Sequence, residues 1–103
     1  MTVRAWLRER TPSAPRRLVQ RIDEVLGARG DRPRDEAPRA CVSAASELLH
    51  DLLERPSAGR DSALDLLTVD ALVTYAFEAA AAEPERLPDY AADAMTRLAA
   101  TVR

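Results

Sequence analysis

The sequence predicts an all-α protein, a bundle of four or five helices joined by short connections. Three observations lead to this prediction. Apolar residues recur at spacings of three and four along most of the chain, as they do on one face of an α-helix. Proline and glycine divide the chain into blocks of helical length. No stretch alternates apolar and polar residues over the length of a strand, so we expect no sheet.

The N-terminal part of the chain predicts two helices. The 103 residues are enough for one domain, in which residues 1–14 form a short helix and a proline-rich turn and residues 15–103 the bundle. The second helix is predicted to begin at Pro15 and to end at Gly27 or Gly30. The apolar residues of these two helices are Val3, Trp6, Leu7, Leu18, Ile22, Val25 and Leu26. We expect residues 30–34 to be the most flexible part of the chain.

The third helix is predicted over about residues 35–55 and is the clearest amphipathic element. Its apolar stripe consists of Cys41, Ala45, Leu48, Leu49, Leu52 and Leu53. Its polar side consists of Ser43, Glu47, His50, Asp51 and Glu54. The stripe is expected to pack in the bundle and the polar side to face solvent.

A fourth helix is predicted over about residues 61–83, with Ser57 or Asp61 as its N-cap. It is apolar almost all round, so we expect it to be the largely buried central helix of the bundle. Its apolar surface is too wide for short neighbouring helices to cover, which predicts a second subunit. A fifth helix begins at Pro84 or Pro88 and aligns four apolar residues, which are Ala91, Met95, Leu98 and Val102.

Composition excludes several classes of protein. A single cysteine excludes a disulfide scaffold, and the net charge of −2 argues against a dedicated nucleic-acid binder. All fifteen basic residues are arginine and twenty residues are alanine, which is typical of a GC-rich bacterial coding bias. The N-terminus lacks the apolar run of a signal peptide, and the apolar residues 63–82 include Asp65, Asp70 and Glu78. We therefore expect a cytoplasmic protein without a membrane span.

Charge is unevenly distributed along the chain. Residues 1–39 hold ten arginines against six acids, a net charge of +4, and residues 40–103 hold five arginines against eleven acids, a net charge of −6. The favoured interpretation is a basic N-terminal layer that lies against the acidic remainder, within one chain or across a dimer. The alternative is that Arg16, Arg17 and Arg21 bind an anion such as phosphate.

One polar group has the spacing of a metal site. Glu47 and His50 form a Glu-x-x-His pattern, as in carboxylate di-metal bundles, and Asp51 and Glu54 lie beside them. These four residues lie opposite the leucine stripe, so they are expected to face solvent, and a site would need ligands from two subunits. A metal-binding dimer is therefore an alternative hypothesis, and no resident metal or cofactor is predicted.

A second polar line runs along the fourth helix. Asp70, Thr74 and Glu78 are spaced four residues apart on an otherwise apolar helix. Either they line a cavity or a subunit interface, together with Phe77 and Trp6, or they form the one face that sees water or pairs with arginines. No spacing of Ser, Cys and His indicates a nucleophile with its base, and no glycine-rich phosphate loop is present, so we predict no catalytic residue.

Two stretches, within residues 44–54 and 63–100, follow a pattern known from one enzyme family. The first contains Ala44-Ala-Ser-Glu-Leu-Leu-His50-Asp51, and the second contains Asp70-Ala-Leu-Val-Thr-Tyr-Ala-Phe-Glu78. They resemble, respectively, the helix before the first aspartate-rich motif and the D-A-L-L-x-x-A-F-E helix of trans-isoprenyl diphosphate synthases. That family is an all-α bundle around a prenyl cavity, and its aspartate-rich motifs hold Mg²⁺.

The aspartate-rich motifs themselves are absent, because Leu52 and Leu53 follow Asp51. The resemblance therefore implies a non-catalytic, isoprenoid-associated small subunit or an apolar-chain binder, with a cavity beside Asp70 and Phe77. The main prediction is broader: a small non-catalytic helical protein that acts through helix-mediated association, as a homodimer or with a protein partner.

Overall fold

The computed structural model describes residues 1–55 and 59–102, and within them the chain forms five α-helices and no strand. The helices are α1 (Val3–Arg10), α2 (Arg16–Leu26), α3 (Ala37–Glu54), α4 (Arg60–Ala80) and α5 (Leu87–Thr101). The predicted all-α class is confirmed. Gly59 is the N-cap of α4, so Asp61 lies inside the first turn, and Ser57 lies outside the described residues.

The first two helices bury the faces that the sequence predicts, and α2 begins one residue after the predicted Pro15. Thr2 is the N-cap of α1, and its hydroxyl oxygen accepts a hydrogen bond of 3.1 Å from the Ala5 N–H. Helix α2 ends at Gly27, whose φ of +53° is a left-handed conformation that glycine adopts without strain. The buried residues of the two helices are Val3, Trp6, Leu7, Leu18, Ile22 and Leu26.

Residues 30–34, predicted to be the most flexible part of the chain, are instead fastened to the N-terminus. The Val3 N–H donates to the Arg32 carbonyl at 2.9 Å, and the Arg34 N–H donates to the Met1 carbonyl at 3.0 Å. These bonds form an isolated antiparallel bridge between Thr2 and Pro33. The partners lie about thirty positions apart in the sequence, so local composition gives no sign of the contact.

The Arg4 side chain holds this junction together. Its guanidinium donates to the carboxylates of Asp23 and Asp31 and, at 2.8 Å, to the Gly27 carbonyl. The guanidinium lies directly against Gly30, where an added Cβ would come within 2.6 Å of the Arg4 Cζ. A side chain at position 30 would therefore require the Arg4 guanidinium to shift.

The substitution Gly30→Ala is expected to lower the free energy of unfolding by about 1–2 kcal/mol, because the new methyl group displaces a guanidinium that three acceptors hold in place. Chemical unfolding followed by circular dichroism measures this loss. In an Arg4→Ala background the same substitution should cost less than about 0.5 kcal/mol, since its steric partner is gone. Equal costs in the two backgrounds would show that the contact with Arg4 is not the cause.

Helices α3 and α4 pack against each other, and each also packs against α2 and α5, but α3 is the more extensively buried of the two. Its buried residues, mostly small, are Ala37, Pro38, Ala40, Cys41, Val42, Ala44, Ala45 and Leu48. Helix α4 buries a single stripe, which consists of Asp65, Thr68, Leu72, Ala76 and Ala80.

The helix predicted at residues 61–83 is thus present and packs against three other helices, but its burial is narrower than expected. Small side chains on several sides of α3 let neighbouring helices approach it closely. The far side of α4 has no neighbour within the described residues, so Leu66 remains 56% exposed and Leu67 48% exposed. An apolar composition shows that a face can be buried, whereas its neighbours decide whether it is.

Helix α5 is rotated relative to the prediction. The side that faces the bundle carries Ala94, which is buried, flanked by Ala91 and Leu98, which are half-buried. Two residues of the predicted apolar line, Met95 and Val102, are instead exposed. The small side chain of Ala94 lets α5 pack closely against α3 and α4, and this contact outweighs the burial of the larger Met95.

Candidate functional site

The outer face of α4 is the side of this helix opposite its buried stripe. It consists of six exposed residues: Leu66, Leu67, Asp70, Thr74, Phe77 and Glu78. Three of them are large and apolar, and Phe77, 38% exposed, lies about three helical turns beyond the two leucines. Neither Asp70 nor Glu78 forms an ion pair with any residue that the structure describes. The face therefore combines open apolar side chains with two free carboxylates.

The structure brings four of the five predicted interface or cavity residues onto this face, which are Asp70, Thr74, Phe77 and Glu78. The Thr74 hydroxyl donates to the Asp70 carbonyl at 2.9 Å, so it is satisfied within the helix. Tyr75 lies half-buried beside the face, and its pKa is raised by burial and by the negative charge of Glu78. The polar part of the face is therefore acidic, with no basic residue among its six members.

Trp6, also predicted as an interface or cavity residue, lies elsewhere. It is 2% exposed and belongs to the hydrophobic core. The Arg10 guanidinium lies over its ring, 5.1 Å from the centroid. The indole Nε1 finds no hydrogen-bond partner among the described residues. Trp6 is thus a packing residue of the core and is not part of the outer face of α4.

Phe77 also lines the small crevice between α4 and α5. Tyr90 and Ala94 form the α5 side of this crevice, whose volume is about 10 Å³. That volume is about the minimum for one water molecule and is far too small for an isoprenoid chain. Asp70 and Thr74 are exposed on the helix surface. This crevice does not provide the cavity for an isoprenoid chain that the resemblance to prenyl diphosphate synthases implies. The resemblance itself stays a prediction.

The predicted metal candidates lie on the exposed side of α3. Glu47 accepts two hydrogen bonds from Arg29, at 2.7 and 3.0 Å, and this contact lowers the pKa of its carboxyl. His50 Nε2 lies 3.1 Å from Glu54 Oε1, and Asp51 is exposed. Within residues 1–55 and 59–102, no three His, Cys, Asp or Glu side chains form a group that could hold a metal ion. A site shared between two copies stays a prediction.

An ion-pair cluster that sequence reasoning missed is centred on Asp65, a carboxylate only 4% exposed. Arg21 donates to it through Nε at 2.7 Å, and Arg55 donates through Nη1 at 2.7 Å. Burial by itself raises the pKa of Asp65, but the hydrogen bonds and charges of the two arginines outweigh burial, so the pKa lies below its ordinary value. The cluster joins α2 and α4 to the end of α3.

These contacts bear on the uneven charge of the chain. Arg21, a candidate for binding an anion, is already occupied by Asp65, and Arg29 is occupied by Glu47. Both pairs connect the basic N-terminal part to the acidic remainder within one chain. An acid that stands alone among apolar residues, as Asp65 does, is the sequence signal that could have indicated the cluster.

A second open surface, not predicted from the sequence, is the cleft between α1 and α2. Its volume is about 190 Å³, and its apolar wall is formed by Leu7, Val19, Ile22 and Leu26. Arg4 and Arg8 stand at its edge. The cleft depends on the angle between two helices that a proline-rich turn connects, and helical periodicity does not determine that angle.

Comparison with known proteins gives no relative: no family model, no curated protein and no solved structure matches this chain. Within the described residues, none of the helices combines the length and the apolar character needed to cross a membrane. The outer face of α4 and the cleft between α1 and α2 are two apolar surfaces open to solvent.

Proposed function

We propose that this protein is a non-catalytic helical module that associates with a second copy of itself through the outer face of α4. One observation carries the proposal: three large apolar side chains, Leu66, Leu67 and Phe77, are open to solvent on one face of one helix. Burial of apolar surface contributes roughly 25 cal/mol for each Å² removed from water. Single exposed apolar residues are ordinary, whereas a cluster on one face is typical of an association site.

The pattern around these side chains supports the same function. Three polar residues lie among the apolar residues of the face: Asp70, Thr74 and Glu78. They supply polar contacts, as polar groups do around the apolar centre of an interface. At the end of the helix, Ala81 and Ala82 are exposed, and their small side chains allow another helix to come close. A second copy is the preferred partner because symmetric self-association is the commonest form of assembly among soluble oligomers.

Size-exclusion chromatography with light scattering tests the proposal at tens of micromolar protein. The wild-type chain is expected to have twice the 11.3 kDa mass of one copy. The substitution Leu66→Glu replaces one of the three apolar side chains of the face by a charge and should raise the dissociation constant by more than about tenfold, equivalent to 1.4 kcal/mol.

Met95→Glu is the matched control, because Met95 is an equally open apolar residue on α5 and lies outside the outer face of α4. This variant should keep the wild-type mass. A wild-type protein that is strictly monomeric at these concentrations would overturn the proposal, and so would equal weakening by the two variants.

A further inference from the structure

The cleft between α1 and α2 has the size and the apolar lining of a binding pocket for one apolar side chain. Leu7, Ile22 and Leu26 are core residues whose edges form its wall, and its volume is about 190 Å³. An apolar cavity of roughly 150 Å³ binds one benzene molecule, which is comparable in size to a large apolar side chain. The cleft therefore fits a single leucine or phenylalanine side chain, but it is too small for a helix.

The charged residues at the edge of the cleft are Arg4, Arg8 and Asp23. Arg4 is neutralised by Asp23 and Asp31, whereas Arg8, at the edge of the cleft, is exposed and forms no ion pair with any described residue. A partner that inserts an apolar side chain here is therefore favoured if it carries a carboxylate nearby.

The outer face of α4 has the complementary character. Helix α4 holds one arginine against four acids, and two of those acids, Asp70 and Glu78, lie free on the outer face. If two outer faces met each other, these like charges would be brought together with no basic residue among the six residues of either face, which opposes association. The charge pattern therefore favours contact between this face and the unpaired Arg8 of the second copy.

We propose that Leu66 of one copy inserts into the cleft between α1 and α2 of a second copy, where Asp70 pairs with Arg8. This inference rests on the proposed function, because it names the surface that receives the outer face of α4. Leu66 is 56% exposed, and Asp70 lies one helical turn further on the same side. Each copy carries both the inserting side chain and the cleft, so two copies can form the contact twice and close a two-fold dimer. If the geometry does not allow the second contact between the same two copies, further copies add head to tail.

A complementation experiment by sedimentation velocity tests this pairing with two single variants. Leu66→Glu removes the inserting side chain, and Val19→Phe fills the cleft from within the same chain, at a position on its wall. Each variant alone should be monomeric. Their mixture should form a two-chain species weaker than the wild-type dimer, because the intact Leu66 of one variant meets the intact cleft of the other and the second contact stays broken.

The outcomes separate this inference from the proposed function. A monomeric wild-type protein overturns both. A wild-type dimer that Leu66→Glu dissociates and Val19→Phe leaves intact supports the proposed function and overturns the inference, because the cleft is then not the receiving surface. Two monomeric variants whose mixture stays monomeric overturn the inference as well.

If Val19→Phe disturbs folding, an exchange of charges between positions 8 and 70 tests independently whether Arg8 of one copy pairs with Asp70 of the other. Arg8→Glu and Asp70→Arg should each weaken association by roughly tenfold, and the chain that carries both substitutions should regain most of the wild-type affinity. Both positions are exposed, so thermal unfolding of the variants is expected to match that of the wild type. Losses that simply add in the double variant would show that these two residues do not meet.

Discussion

Replacement of Trp6 by alanine is expected to lower the free energy of unfolding by about 3–5 kcal/mol, the range for removal of a large buried aromatic side chain. Trp6 is the largest of the fully buried side chains and packs with Val3 and Leu7 of α1 in the core. Its loss leaves a cavity that the neighbouring helices can fill only in part. Urea unfolding at a fixed protein concentration, followed by circular dichroism, measures the change.

The substitution Trp6→Phe is the matched control, and we expect it to cost about 1–2 kcal/mol. Phenylalanine keeps most of the apolar contact and removes the indole N–H, which has no hydrogen-bond partner among the described residues. Removal of an unsatisfied buried donor offsets part of the packing loss. Equal losses for Trp6→Phe and Trp6→Ala would contradict a role based on apolar packing.

Replacement of Asp65 by alanine should destabilise the protein by about 3 kcal/mol, near the lower end for breaking a buried ion pair. Asp65 is buried, whereas the side chains of Arg21 and Arg55 are 29% and 34% exposed, so water partly compensates the arginines for the lost partner. Urea unfolding measures this loss too. Asp70→Ala, which removes an exposed acid from the same helix, should change stability by less than about 0.5 kcal/mol.

The pH dependence of stability provides a second measurement on Asp65. Because the folded protein holds the pKa of Asp65 below its ordinary value of 3.8, the ionised carboxylate stabilises the fold. This contribution is complete above the ordinary pKa and is lost as the pH falls through the lower pKa of the folded state. Glu47, whose pKa is lowered by the hydrogen bonds and charge of Arg29, contributes in the same direction.

Asp65→Asn removes the titrating group at nearly constant shape. Between about pH 7 and about pH 3, the wild-type protein should therefore lose more stability than this variant does. Unfolding midpoints in urea across that range give the comparison. If both proteins lost stability in parallel as the pH fell, the ion pairs of Asp65 would not be a source of the acid sensitivity.

The helices could be predicted from the sequence because their signals are local. The Thr2 cap, the turn at Gly27 and the spacing of Leu18, Ile22 and Leu26 all act within a few residues of one another. The predicted burial of Cys41 is confirmed, whereas Leu53, at the other end of the same predicted stripe, is 57% exposed. Local spacing shows where a helix forms and which of its sides can be buried.

The choice among possible faces could not be predicted in the same way. On α5, two lines of residues were available, and close packing at Ala94 left Met95 exposed. On α4, the apolar character extends around the helix, yet only the stripe that includes Leu72 is covered. The cleft between α1 and α2 was missed entirely, because it depends on how two helices lie against each other.

Asp65 and Asp70 show most clearly which properties follow from the sequence and which depend on tertiary structure. The sequence by itself determined that both acids lie on one apolar helix, in an all-α protein whose charges are unevenly spread. Only the tertiary structure decided that Asp65 is enclosed between two arginines and that Asp70 stays open beside Leu66. The physical reason is distance along the chain. Helix formation depends on neighbours three and four residues away, whereas the burial of Asp65 depends on Arg21, forty-four positions earlier.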